Sequence, residues 1–131
     1  MKDLGYEQST ASGWKKAGET FQFDIFQEHR IHTTELLVSP LEEGRHTLLK
    51  EYSHLYIGVL NVYDLISSKL MRGTSVDFDD CLNLVEAHQG DIDIGELVEH
   101  FNELVSYDVG VDRIRPHMES FLETLKDEGL L

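Results

Sequence analysis

The chain has 131 residues and a formal net charge of −14, a length that suits one domain with a real core and is too short for two. Its one cysteine, Cys81, excludes an internal disulfide and fits a reducing compartment, and no apolar run approaches the roughly 20 residues that span a bilayer. Between Val76 and Asp112 eleven Asp and Glu occur without one Lys or Arg, a surface that repels phosphate backbones and anionic lipid and argues against nucleic acid and membrane as partners.

The N-terminus, Met1 to Tyr6, carries no hydrophobic signal core, so a cytoplasmic location is expected. Residues 7–16 are rich in Ser, Thr and Trp, and Ala17-Gly18-Glu19 offers a turn. In residues 21–26, Phe21, Phe23 and Ile25 fall on one strand face and Gln22 and Asp24 on the other. Together these segments predict a hairpin. Residues 29–44 read as a connection with one helical turn around Thr34 to Val38, closed by Pro40. Two further extended stretches follow at 46–52 and 55–60, where Tyr56, Ile57, Val59 and Leu60 predict a largely buried strand.

After Asn61 the apolar period becomes helical. Asn61 is a cap, with Val62, Leu65, Ile66 and Leu70 as the apolar stripe and Gly73 as the stop. Ser75 or Asp77 opens a second helix with Phe78, Cys81, Leu82 and Val85 on one face, ended by Gly90. Cys81 at that spacing reads as a small buried hydrophobe rather than a nucleophile. Asp93 with Glu96 is the pattern of a capping box ahead of a third helix bearing Leu97, Val98, Phe101, Leu104 and Val105. The last helix carries Ile114, Met118, Phe121, Leu122 and Leu125, with Pro116 placed in its first turn. The expected architecture is α+β in a single domain, residues 1–131. A small antiparallel or mixed sheet within residues 7–60 packs against about four helices between residues 62 and 128.

The residues richest in chemistry lie in Asp64-Leu65-Ile66-Ser67-Ser68-Lys69-Leu70-Met71-Arg72-Gly73, followed by Asp77-Phe78-Asp79-Asp80. By residue type alone, Lys69 reads equally as a solvent-facing helix lysine, Asp77 and Asp80 as helix caps, and Asp24 as an exposed strand residue. The whole pattern resembles the second half of bacterial nucleotidyltransferase-like proteins, including their abortive-infection and toxin–antitoxin branches. In those proteins a similar Asp-Leu-Ile-x-x-Lys-Leu helix precedes an Asp-x-x-Asp helix. The resemblance implies that Lys69 contacts nucleotide phosphates, with Arg72 beside it, and that Asp77 and Asp80 form the supporting acidic motif. It also implies that Asp24, in Phe-Asp-Ile-Phe, is the third carboxylate of the catalytic strands and a ligand of Mg²⁺.

The same resemblance marks a gap. The family's small-residue turn, Gly-Gly or Gly-Ser, and the Asp-x-Asp pair after it would lie upstream of Met1. Gly90-Asp91-Ile92-Asp93 imitates that pair but reads as a helix-start loop. Without two placed carboxylates a pair of Mg²⁺ ions cannot be held for in-line attack. The expectation is therefore a truncated nucleotidyltransferase-fold protein, catalytically incomplete alone, that binds Mg-nucleotide weakly or forms part of a site completed by another chain. The alternative is a non-catalytic interaction module, a homodimer or a component bound to a protein partner, because half a sheet leaves an edge and an apolar face to be covered. His29-x-x-His32 with Glu28 and Glu35 lacks a full zinc spacing and reads as a surface cluster.

Overall fold

The change of period at Asn61 divides the architecture as well. The computed structural model describes residues 1–26 and 28–131, and its α+β fold places small antiparallel sheets first and four helices second. The first sheet is a meander of β1 (Tyr6–Gln8), β2 (Gly13–Lys16) and β3 (Gln22–Asp24), with Trp14 opposite Phe23 and Gln8 opposite Trp14. It extends the predicted hairpin by one strand. Edge-on packing of Tyr6 and Phe21 against Phe23, at ring separations of 5.8 and 5.0 Å, holds its apolar side together.

β4 (Arg30–Ile31) and β5 (Thr34–Glu35) form a minimal hairpin where the sequence predicts a helical turn. His32 enters the left-handed region (φ 53°) to reverse the chain, and the amide of Leu36 donates to the carbonyl of His29 at 2.8 Å. Cross-strand bonds thereby take the backbone groups that a helical turn would have paired internally. β6 (His46–Glu51) and β7 (Tyr56–Leu60) pair antiparallel from His46–Leu60 to Glu51–Tyr56, with an irregularity at Leu49 that inserts one extra residue into β6.

The sheets are three separate pieces, not one platform under the helices. The expected burial of residues 56–60 fails accordingly: Tyr56, Ile57 and Val59 are exposed and Leu60 is half-buried. Their composition suits an interior, but among the described residues nothing encloses either side of the two-stranded pair.

The core is helical. α1 (Val62–Arg72), α2 (Ser75–Ala87), α3 (Ile94–Ser106) and α4 (Val111–Asp127) bury Ile66, Leu70, Cys81, Val85, Leu97, Phe101, Val105, Ile114, Phe121 and Leu125 against one another. Each residue falls on the stripe that its helical spacing predicts. Asn61 caps α1 by accepting from the amide of Asp64 at 2.9 Å, and Gly73 ends it in the left-handed conformation at φ 67°. Asp93 caps α3 through the amide of Glu96 at 3.0 Å. Pro116 lies six residues into α4, beyond the first turn where the sequence reading puts it, because the helix already begins at Val111. The carbonyl of Asp112 consequently lacks its usual amide partner four residues on. Among the described residues no helix is long and apolar enough to cross a membrane.

Candidate functional site

The loop between α1 and α2 is short because both helix ends are closed locally. Gly73 turns the chain out of α1, and Thr74 immediately caps α2 in a complete capping box. The Thr74 hydroxyl accepts from the amide of Asp77 at 3.2 Å and donates to its Oδ2 at 2.6 Å, while the Thr74 amide donates to the same Oδ2 at 3.1 Å. With so short a reversal, residues equally far from the turn meet. Lys69 and Arg72 are one turn apart on α1, Asp77 and Asp80 one turn apart on α2, and they pair as nested rungs.

The inner rung joins Arg72 to Asp77. Arg72 Nε donates to Asp77 Oδ2 at 2.8 Å and Nη2 donates to Oδ1, a two-pronged contact with a carboxylate that is wholly buried. The Arg72 guanidinium holds the Asp77 carboxyl well below the usual carboxylate range, with the Thr74 hydroxyl and amide adding to the effect, and Asp77 in turn raises the guanidinium. The outer rung joins Lys69 Nζ to Asp80 Oδ2 at 2.6 Å, and the Asp80 side chain is 45% exposed.

These two rungs differ in what they can do. Breaking a buried pair by removing one partner costs roughly 3–5 kcal/mol, whereas an exposed pair contributes about 0–1 kcal/mol. Asp77 is therefore a buried anchor of the helix crossing, although its partner Arg72 is itself 39% exposed, and the Lys69–Asp80 pair reaches solvent mainly through Asp80. Cys81, next to Asp80, faces inward. Its thiol lies 3.7 Å from the carbonyl of Ile66, and burial pushes its pKa up to about 12, so it is no nucleophile at neutral pH.

Four of the five residues singled out in the sequence thus come together. Asp24 stands apart from them on β3, exposed, where Oδ1 accepts from the Ser12 hydroxyl at 3.1 Å and Gln22 Nε2 at 3.4 Å. Mg²⁺ takes six oxygen ligands, commonly one or two carboxylates plus water and substrate phosphate. Asp24 offers one such ligand, and among the described residues no three His, Cys, Asp or Glu side chains gather closely enough to hold a metal. Asp93 is occupied as the α3 cap, as the helix-start reading of residues 90–93 expects. His29 pairs with Glu35 at 2.8 Å, whereas His32 packs its ring on Phe26 at 4.9 Å.

A second charged cluster escaped the sequence reading. Asp64, wholly buried near the start of α1, accepts from Arg45 Nη2 at 3.2 Å, His100 Nε2 at 2.8 Å and Asn61 Nδ2 at 2.6 Å. The signal was there in part: Asp64 shares a helix face with Ser67 and Met71, both buried, and a carboxylate on an inward face requires a cation. Neither family models, nor curated proteins, nor solved structures match this chain.

Proposed function

We propose that this chain has a nucleotidyltransferase-type fold, and that it binds the phosphates of a Mg-nucleotide through Lys69. The observation that carries this reading is the outer rung. A lysine is held at the α1–α2 junction by a half-exposed aspartate, next to an anchor that keeps the junction rigid. A phosphate carries more charge than the Asp80 carboxylate and offers several acceptor oxygens, so it can draw Lys69 away at little cost. Arg72 plays no part in this exchange, because leaving Asp77 would strand a buried charge. Asp24 stands on β3 apart from this junction, so a metal site for nucleotidyl transfer would need carboxylates from a second polypeptide segment placed at the junction.

The test is a calorimetric titration of ATP, GTP, CTP and UTP with Mg²⁺ into the wild type and Lys69→Ala. Binding that the substitution abolishes is the expected result. Equal binding by both proteins, or none by either, would sink the assignment of Lys69.

One observation favours a second reading, that of an interaction module. Phe21, Phe23 and Ile25 on one side of β3 and Leu48, Leu49, Ile57 and Val59 on the β6–β7 pair are all exposed, and every sheet has open edges. Such strands are templates for pairing with another chain. Self-association through them is expected to appear in light scattering as a dimer that Ile57→Lys dissociates. A monomer at millimolar concentration would contradict it.

A further inference from the structure

On a different face of α1 from Lys69, a cleft of about 770 Å³ opens between the β4–β5 hairpin and the pair formed by α1 and α3. Leu36, Met71 and Leu104 provide apolar lining, and Arg30, Arg45 and His100 provide nitrogen donors. Arg45 and His100 are each bonded to Asp64, which lies outside the lining and is wholly buried. The cleft is thus backed by a fixed carboxylate that orients both side chains.

Donors without acceptors remain there. Arg45 reaches Asp64 through Nη2 only, and its Nε is buried with no partner. Ser67 Oγ, on the same α1 face as Asp64 and Met71, is also buried and without a partner, although it is not part of the cleft lining. Arg30 makes no ion pair among the described residues. On the acidic side, Glu35 is committed to His29, and Asp108 Oδ1 accepts from the Gly110 amide at 2.6 Å. Glu103 is exposed, and with Glu35 and Asp108 it gives the lining three carboxylates against two arginines, so the spare donor capacity is local to Arg45 and Arg30. Buried donors without acceptors are uncommon in folded proteins and call for an oxygen-rich partner.

We propose that this cleft binds a small organic oxyanion. Its carboxylate or phosphate head meets Arg45 and Arg30, and its apolar tail lies on Leu36, Met71 and Leu104. The site is separate from the Lys69 site and does not depend on it. Two of the eleven Lys and Arg of an otherwise acidic chain line this one concavity, and a charge-assisted contact there would be shielded by apolar walls.

The test is a series of ¹H–¹⁵N spectra of the whole chain, titrated at constant ionic strength with inorganic phosphate, acetate and hexanoate. Saturable shifts at the amides of Leu36, Leu104 and Val109 and at Arg45 Nε–H are expected, with hexanoate binding more tightly than acetate. A response to phosphate alone or to hexanoate alone supports the site and identifies its head group. Arg45→Gln should weaken binding about tenfold, the equivalent of one charge-assisted hydrogen bond. Because that change exposes Asp64 to the loss of its cation and could unfold the chain, Arg30→Gln serves as the second variant; Arg30 is exposed, and its removal should weaken binding about threefold. Lys69→Ala should leave these shifts intact. Absence of saturable shifts with all three probes, or shifts indifferent to Arg30→Gln, would overturn the proposal.

Discussion

Arg72→Ala is expected to destabilise the fold by about 3 kcal/mol at neutral pH, against about 0–1 kcal/mol for Lys69→Ala. Both substitutions remove one cation from the same junction, and the contrast isolates the burial of the carboxylate left behind, because Arg72 is itself more exposed than Lys69. Asp77 is wholly buried and would keep only the Thr74 hydroxyl and amide as donors, whereas Asp80 already faces water. The figure for Arg72 sits at the low end of the range for broken buried pairs because those two Thr74 bonds remain. Its pH dependence has a definite sign. The Asp77 carboxyl is lowered from 3.8 in the folded chain, so the stability it contributes is fully present above that value and is lost as pH falls toward the folded pKa. Without Arg72 that contribution shrinks. The gap between wild type and Arg72→Ala in urea denaturation should therefore narrow as pH drops below about 4. A gap independent of pH, or equal losses for the two substitutions, would show that the rungs do not differ as described.

Gly73→Ala is expected to cost about 3 kcal/mol, for two separable reasons. The residue sits at φ 67°, where an alanine pays roughly 1 kcal/mol or more in backbone strain. A Cβ at this position also collides with the imidazole of His117 on α4. That ring cannot move freely: its Nδ1 donates to the carbonyl of Leu70 at 2.7 Å, and it packs edge-on to Phe78 at 6.0 Å. Leu70 is in the last turn of α1, where carbonyls lack helical partners, so His117 satisfies one of them from another helix. A double-mutant cycle separates the terms. In a His117→Ala background the glycine substitution should cost only the backbone strain, leaving a coupling of about 1–2 kcal/mol. Strictly additive losses would mean that the ring yields without consequence.

The helical half was legible because its signals are local. Asn61, Gly73 and Asp93 mark helix ends within a residue or two of where they occur, and the apolar stripes name the core almost completely. The rungs were half legible: the spacing of residues 69 and 72 against 77 and 80 around a tight turn brings them opposite one another, although their types alone do not say which pair is buried. In the strand half, residues 21–26, 46–52 and 55–60 were read correctly as extended, residues 34–38 wrongly as a helical turn, and residues 56–60 wrongly as enclosed. Period-two patterning identifies the apolar side of a strand, not what covers it, so Ile57 and Val59 look like core residues and lie exposed. Asp64 was not recognised as a buried charge because its partners Arg45 and His100 lie 19 and 36 residues away in sequence. No local pattern connects them. Asp24 was identified by resemblance alone, and its neighbours in the fold are Ser12 and Gln22 rather than the residues at the α1–α2 junction.

The most direct test of nucleotide capture by Lys69 is to observe that side chain itself. The Nζ resonance of Lys69 can be followed by NMR during titration with Mg-ATP, in the wild type and in Asp80→Asn. Removing the competing carboxylate frees the lysine, so the Lys69 signal should shift in both proteins and reach saturation at lower nucleotide concentration in Asp80→Asn. A Lys69 signal unmoved by nucleotide in either protein would contradict the proposed site and leave the Lys69–Asp80 pair as a surface contact between two helices.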